Sequence, residues 1–240
     1  APMAGVADTS FREICRAMGA EYTVSEMVSA KALCYEQMGR KSAPVRTAGL
    51  ANITTAESPM AIQLFGREPE YMAEAARLIE SGAYRGARQE QPPAAIDINM
   101  GCPVQKVVSN GEGSALMKEP QQAAAIVRAV KAAVRLPVTV KIRAGYSNDA
   151  RNAPEFARMM EDAGAELICV HGRTRQQMYM PGSDNGIIAA VKRAVSVPVI
   201  GNGDLNSAAD VQRMLLAFPT RGEAERARRA LSSVLSEAER

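Results

Sequence analysis

The sequence predicts an α/β fold of the (β/α)8 TIM-barrel type that is incomplete, with about seven βα units and no eighth strand. Short apolar runs alternate with amphipathic, alanine-rich stretches, which is typical of strands and helices repeated around a parallel sheet. Several of these apolar runs end in a polar residue, at the position where barrel enzymes hold their functional groups. A chain of 240 residues is also long enough for one barrel-sized domain.

Seven apolar runs are predicted to be strands, each separated from the next by a turn or a helix. The strands are residues 1–4, 22–27, 60–65, 95–100, 138–143, 167–172 and 198–203. The helices are at about 8–18, 69–82, 120–134, 152–163, 184–194 and 207–216. Helix starts are marked by Asp8 as an N-cap and by Pro69 and Pro120 in the first turn. Glycines at 19, 82 and 164 mark where three helices end.

Residues 217–240 depart from this alternation. Their apolar residues fall on one face of a helix, with arginine and glutamate on the other faces. The apolar residues are Ala227, Leu231, Val234, Leu235 and Ala238. We therefore expect a partial barrel over 1–216 and, over 217–240, a charged amphipathic helix in place of the closing strand.

Composition limits the function classes. A net charge of +3 argues against a general nucleic-acid binder, so any such contact must come from local clusters. The four cysteines are widely spaced and none pairs at metal-ligand spacing, which predicts reduced thiols in a cytoplasmic protein and no metal site. No apolar run approaches the ~20 residues of a membrane helix, so no membrane partner is expected. The sequence does not indicate an oligomeric state.

Five predicted strands end in, or contain near their end, a residue suited to binding or catalysis. These residues are Gln63, Asn99, Lys141, His171 and Asn202. Because the carboxyl ends of parallel strands open on the same face of a barrel, we expect the five side chains to meet in one pocket. Core packing alone does not explain this convergence.

Three of these features have an alternative interpretation. Lys141 lies within "VTVKIR", where a buried ammonium needs an anionic or accepting partner, but a strand-end lysine can also reach water. His171 is the only histidine and could be structural, although Arg173 and Arg175 beside it favour contact with an anion. The turn "GNGD", residues 201–204, could hold a phosphate on its backbone N–H groups, but the motif is weak alone.

Cys102 is a further candidate. It lies just beyond a predicted strand, between Gly101 and Pro103, which favour a tight turn. The residue is either a catalytic thiol at a strand end or a small buried residue at a turn, since cysteine is among the residue types most often buried.

Several motifs, taken in order, resemble those of the tRNA-dihydrouridine synthase family, in particular its bacterial members. They are "APMAGVAD", "SEM", "IQLFG", "DINMGCPVQKV", "GSALM", "VTVKIRAG", "VHGRTR" and "VIGNGD", and they extend over about residues 1–210. The resemblance implies an FMN enzyme on a barrel that reduces the 5,6 double bond of particular uridines in tRNA. NADPH, or NADH, would be the electron source. Residues 1–216 would then be the FMN-binding catalytic domain.

The resemblance also implies a role for each matching residue. The FMN-binding residues would be Pro2, Met3 and Ala4 through their main chain, Gln63 and Lys141 at the isoalloxazine ring, and His171, Asn202, Gly203 and Asp204 at the ribityl and phosphate end. Cys102 would protonate carbon 5 of uracil after hydride reaches carbon 6, and an ordinary thiol is mostly protonated near pH 7. The tRNA-contacting residues would be Asn99, which would orient the extruded base, and Lys106, Arg143, Arg173 and Arg175.

The sequence departs from the family pattern at both ends. The family has residues before "APMAG" that complete the first strand, and after the seventh helix an eighth strand with a "GR" phosphate contact and a helical tRNA-binding domain. Residues 217–240 stand in place of these later parts, so we expect the isolated chain to bind FMN weakly or not at all. Two other interpretations stay open: a small-molecule flavin oxidoreductase of the dihydropyrimidine type on the same barrel, and an inactive truncated remnant.

Overall fold

The structure, a computed structural model, describes residues 2–38, 47–180 and 182–216. Its centre is one sheet of parallel strands. The strands are β1 (Thr23–Val24), β2 (Val28–Ser29), β3 (Met60–Phe65), β4 (Ala95–Met100), β5 (Val138–Arg143), β6 (Leu167–His171) and β7 (Val199–Asn202). They lie in the order β1-β3-β4-β5-β6-β7, and β2 also pairs with β3. The α/β prediction is confirmed, and a parallel sheet in this order is consistent with an incomplete TIM barrel.

Helices connect these strands. They are α1 (Thr9–Ala17), α2 (Ala30–Gln37), α3 (Pro69–Ser81), α4 (Gln105–Val108), α5 (Pro120–Ala133), α6 (Ala153–Asp162), α7 (Asn185–Ala194) and α8 (Ala208–Leu216). Short 3₁₀ helices lie at Ala48–Ala51, Thr55–Glu57 and Gly113–Lys118. The predicted helix starts are confirmed: the Asp8 carboxylate accepts a hydrogen bond from the Phe11 backbone at 2.9 Å, and α3 and α5 begin at Pro69 and Pro120.

The predicted first strand, residues 1–4, is wrong over its described residues 2–4. Pro2–Ala4 belong to a loop in which the Met3 carbonyl accepts hydrogen bonds from Val6 N (3.0 Å) and Ala7 N (2.9 Å). The Glu26 carboxylate also accepts from Gly5 N. These contacts satisfy the loop's backbone locally, so its apolar composition does not make it a strand.

Only Thr23–Val24 of the predicted strand at 22–27 form a strand, and β2 lies just beyond the predicted range. β1 pairs with the start of β3 at Thr23 opposite Met60, and β2 pairs with its end at Val28 opposite Leu64. Between them, the Ser25 hydroxyl accepts a hydrogen bond from the Gln63 backbone at 2.9 Å. A side chain thus replaces a backbone acceptor in the ladder, and the backbone pairing with β3 is interrupted between β1 and β2. Helices α2 and α4 were not predicted.

The two faces of the sheet differ in polarity. On one face, Ile96 and Ile98 of β4 join the hydrophobic core formed with the surrounding helices. On the other, which we call the inner face, Asp97 and Asn99 of the same strand are buried although polar. Strand alternation therefore places a polar layer inside the sheet, and this layer leads to the site.

None of the described helices is long and apolar enough to cross a membrane. The helix predicted over 217–240 lies outside the described residues, so its prediction stays untested.

Candidate active site

A cavity of about 570 Å³ opens at the carboxyl ends of the strands. Every predicted site residue except Lys106 and Arg175 lines it. These lining residues are Pro2, Met3, Ala4, Gln63, Asn99, Cys102, Lys141, Arg143, His171, Arg173, Asn202, Gly203 and Asp204. The volume lies in the range of small-molecule and cofactor sites. The convergence expected from the sequence is therefore what the fold produces.

Lys141 is the central charge of this cavity. It extends from the inner face of β5, level with Asn99 on β4, and is only 8% exposed. The charge of Lys141 acts on buried Asp97, but no hydrogen bond or ion pair to Lys141 is found among the described residues, so its ammonium group is available to a ligand in the cavity. A buried unpaired cation costs free energy, which an anionic or strongly accepting ligand would recover.

His171 ends β6 in a strongly cationic environment. Burial, followed by the charges of Lys141, Arg143 and Arg173, lowers the pKa of His171 to about 3, and Asp204 opposes this only in part. The imidazole is therefore neutral at pH 7. Because a guanidinium only donates, the 3.3 Å contact between Arg173 Nη1 and His171 Nε2 places the ring proton on Nδ1.

The loop after β7 packs tightly against His171. Gly203 has a φ of +123° and Asp204 a φ of +53°, both in the left-handed region. A Cβ on Gly203 would lie 3.0 Å from His171 Cδ2, so only glycine fits without displacement. Asp204 pairs with Arg173 at 2.6 Å and accepts from Ser183 N at 2.8 Å, which holds the loop in place.

Cys102 lies on a turn that is held on both sides. Its backbone N–H donates to Asn99 Oδ1 at 2.9 Å, and its carbonyl accepts from Ser114 Oγ at 2.8 Å. Burial raises the pKa of the Cys102 thiol, although Val104 N–H and the Arg143 charge lower it in part. The thiol is therefore protonated at neutral pH and can serve as an acid.

A chain of side-chain hydrogen bonds supports this turn from below. Asn99 Nδ2 donates to Gln63 Oε1 at 2.8 Å, and Gln63 Nε2 donates to Asp97 Oδ2 at 2.7 Å. Asp97 was not predicted from the sequence. Its position two residues before Asn99 on one strand was the available signal, because such residues share a face.

The four predicted RNA-contacting cations are divided by the structure. Arg143 is buried and donates to the carbonyls of Gly101 (2.7 Å) and Thr174 (3.0 Å). Arg173 is also buried, and it donates to the Met180 carbonyl at 2.6 Å as well as pairing with Asp204. Lys106 is exposed on α4, and Arg175 is half-buried on the rim, so these two lie where a macromolecule can reach them.

Two aromatic residues near the rim were also missed. Tyr146 lies between Lys118, whose Nζ is 4.5 Å from the ring centroid, and Arg175, whose Cζ is 5.5 Å from it. Arg175 Nη2 also donates to Gln105 Oε1 at 2.8 Å. Tyr179 lines the cavity and is 79% exposed. No periodicity marked either tyrosine, since both lie in loops.

A cationic cavity across the carboxyl ends of parallel strands is typical of α/β proteins with a ligand site at their strand ends, and its charge suits an anionic ligand. Comparison with known proteins makes this class specific. The family model described as Dihydrouridine synthase (Dus) matches residues 1–220. The chain therefore belongs to the dihydrouridine synthase family.

Individual relatives agree with this assignment. The chain is 45% identical over 215 residues to "Probable tRNA-dihydrouridine synthase" of Rhodobacter capsulatus, covering 90% of this chain and 62% of that protein. It is 41% identical over 219 residues to "tRNA-dihydrouridine synthase B" of Pseudomonas syringae pv. tomato, covering 90% and 60%. The chain thus spans about three-fifths of the length of these relatives.

Similarity to solved structures is weaker. A crystal structure of 2,3-dimethylmalate lyase, of the PEP mutase/isocitrate lyase superfamily, aligns with a TM-score of 0.49 and 17% identity, covering 97% of this chain and 80% of that one. At this level the likeness indicates nothing about chemistry.

Proposed function

We propose that this chain is the catalytic part of an FMN-dependent tRNA-dihydrouridine synthase, with NADPH or NADH as the electron source. It would reduce the 5,6 double bond of uridine in tRNA, in the cytoplasm. The observation that carries the proposal is that unpaired, buried Lys141 shares one cavity with protonated Cys102. Family membership and a partial barrel open at its strand ends support it.

The residues present fit FMN at both ends of the cavity. Lys141 and Gln63 would hold the isoalloxazine ring, because an unpaired ammonium stabilises negative charge on the ring and a carboxamide can bond its edge. His171, Asn202, Gly203 and Asp204 would hold the ribityl and phosphate end, with His171 Nδ1–H as a donor. Pro2, Met3 and Ala4 would contact the ring through their main chain. Reduced FMN would supply the hydride that reaches carbon 6 of uracil.

Cys102 would then supply the proton. Its Sγ–H would protonate carbon 5 from the opposite side of the base, and the raised pKa of the thiol keeps that proton in place until it is needed. The Arg143 charge, which favours the thiolate, would stabilise the sulfur after proton transfer. Asn99 would orient the base at the mouth of the cavity.

Contact with tRNA would come from the rim. A uridine in a stem or loop reaches this cavity only when it is turned out of the stack, so other contacts must hold the RNA. Lys106 and Arg175 would contact phosphate, while Arg143 and Arg173 would act nearer to the base.

The experiment compares substrates on the same preparation. With added FMN and NADPH, dihydrouridine formed in unmodified tRNA is measured by mass spectrometry beside turnover of free uracil and uridine. The proposal expects product in tRNA alone. Turnover of the free pyrimidine without the tRNA product would instead favour the small-molecule oxidoreductase.

A second readout separates the inactive remnant from both enzymes. FMN binding is followed by quenching of flavin fluorescence, in the wild type and in Lys141→Met. Saturable binding that Lys141→Met weakens supports the cofactor site, whereas the absence of binding at any concentration would leave only the remnant.

A further inference from the structure

Asp97 lies beneath the cavity and does not line it. It is 5% exposed and occupies the inner face of β4, level with Gln63 on β3 and Thr139 on β5. Its carboxylate accepts hydrogen bonds from Gln63 Nε2 at 2.7 Å and from the Thr139 hydroxyl. Asp97 therefore cannot contact a ligand directly, and any effect on the site must pass through its neighbours.

The hydrogen bonds from Asp97 to the Cys102 turn run in one direction. A carboxylate oxygen facing Gln63 can only accept, so Gln63 must present Nε2 to Asp97 and Oε1 to Asn99. Asn99 must then present Nδ2 to Gln63, which leaves its Oδ1 for the turn. This oxygen accepts from the backbone N–H groups of Gly101 at 3.2 Å and Cys102 at 2.9 Å.

The Cys102 end of this series of hydrogen bonds requires the same amide orientations. Backbone N–H groups only donate, so the Cys102 turn requires Asn99 to present its Oδ1. Asn99 must then donate from Nδ2 to Gln63 Oε1, and Gln63 must donate from Nε2 to Asp97. The direction does not depend on the ionisation of Asp97. Burial raises the pKa of Asp97, and Thr139, Gln63 and Lys141 oppose this; a proton held towards Thr139 would still leave Oδ2 as an acceptor.

We propose that Asp97 is a positioning residue, which fixes the orientations of Gln63 and Asn99 and through them the turn that carries Cys102. The proposal rests on the proposed function only in taking Cys102 as the acid. The placement of the turn itself is a property of the chain without any ligand.

The test is the pH profile of Cys102 alkylation by iodoacetamide on the full chain without ligand, followed by peptide mass spectrometry. Asp97→Leu removes the acceptor while keeping a side chain of similar size. Because burial raises the pKa of Cys102, a loosened turn exposes the thiol and lowers its pKa. We expect Cys102 in Asp97→Leu to react about 3- to 10-fold faster below its pKa, which a fall of roughly 0.5 to 1 pKa unit produces.

Two variants separate positioning from general loosening. Asp97→Asn can still offer Oδ1 to Gln63 while its Nδ2 donates to the Thr139 hydroxyl, so we expect it to restore a profile close to wild type. Ile98→Ala removes core packing from the same strand on the opposite face, and it should leave the profile unchanged. If Asp97→Leu does not fold, Gln63→Met takes its place. It removes the hydrogen bonds that join Asp97 to Asn99, and it should increase the rate of Cys102 alkylation by the same factor.

Two outcomes overturn the proposal. The first is a Cys102 profile within twofold of wild type in Asp97→Leu, or in Gln63→Met where that variant takes its place. The second is an equal acceleration in Ile98→Ala. Loss of dihydrouridine formation plays no part in this test, so a failure of the proposed function would be recognised separately by the tRNA assay.

Discussion

Gly113 lies directly against Cys102: a Cβ on Gly113 would come within 2.9 Å of the Cys102 carbonyl oxygen and 3.1 Å of its Cβ. Gly113 also has a φ of +58°, in the left-handed region. The "GSALM" segment therefore needs glycine at this position to approach the Cys102 turn.

The first prediction concerns this contact. Gly113→Ala should displace the Cys102 turn and lower the free energy of unfolding by about 1 to 3 kcal/mol, because it combines strain with a backbone clash. Urea unfolding measures the loss. Gly49→Ala is the matched control, since a Cβ there meets nothing within 4 Å. An equal effect of the two substitutions would contradict the packing described for the turn.

The second prediction concerns the unpaired charge of Lys141. Without ligand, Lys141→Met should raise the free energy of unfolding by about 0.5 to 2 kcal/mol, because it removes a buried cation that makes no hydrogen bond or ion pair with the described residues. The same variant should bind FMN at least tenfold more weakly. Lys131→Met, which breaks the half-exposed pair with Glu166 at 2.8 Å, should change stability by less than about 1 kcal/mol and leave FMN binding intact. Destabilisation by Lys141→Met would mean that Lys141 already has a partner.

The third prediction concerns the pH dependence of stability. His171 has a pKa of about 3 in the folded chain, against about 6.5 when unfolded. Between these values the unfolded chain binds a proton that the folded chain does not, so stability falls as pH falls from 6.5, by up to about 1.4 kcal/mol per pH unit. Neutral His171→Asn should flatten this slope when urea unfolding is compared at pH 5 and 7.

The raised pKa values of Asp97 and Glu112 act in the opposite sense, but they are common to both proteins and cancel in the comparison. His171 is the only histidine, so the difference reports on it alone. Identical slopes for wild type and variant would show that the imidazole is not buried among cations.

The fourth prediction concerns the rim. If Lys106 and Arg175 each neutralise one RNA phosphate, replacing either with Gln should reduce the slope of log K against log salt by about 0.7 to 0.9. Filter binding of tRNA at several salt concentrations measures this. Lys192 lies in the last turn of α7, at the opposite ends of the strands, and Lys192→Gln should leave the slope unchanged. A common small effect for all three substitutions would indicate only nonspecific charge.

The sequence was most informative where position along a strand determines the contact. Gln63, Lys141 and His171 could be placed together because parallel strands end on one face, and the Cys102 turn could be located between its glycine and proline. The first strand was predicted wrongly because an apolar run does not show whether a neighbouring strand exists to pair with it. The strand predicted at 22–27 is limited to Thr23–Val24, because the Ser25 hydroxyl takes the place of a backbone acceptor, which composition does not reveal.

Contacts between distant segments were the part that could not be predicted. The guanidinium of Arg143 is occupied by the carbonyls of Gly101 and Thr174, and that of Arg173 by Asp204, so their burial depends on how three loops pack. The link from Asp97 to Gln63 likewise crosses two strands. These contacts follow from tertiary packing, which no local pattern in the sequence encodes.

The most direct measurement is dihydrouridine formation in tRNA by Cys102→Ala beside Cys169→Ala, with reduction of bound FMN by NADPH followed in the same samples. Cys169 is half-buried within β6 and does not line the cavity, so its substitution removes a thiol without touching the proposed acid. We predict that Cys102→Ala loses at least 100-fold in product formation while flavin reduction continues, and that Cys169→Ala retains both. An unchanged dihydrouridine yield from Cys102→Ala would contradict the assignment of Cys102 as the acid.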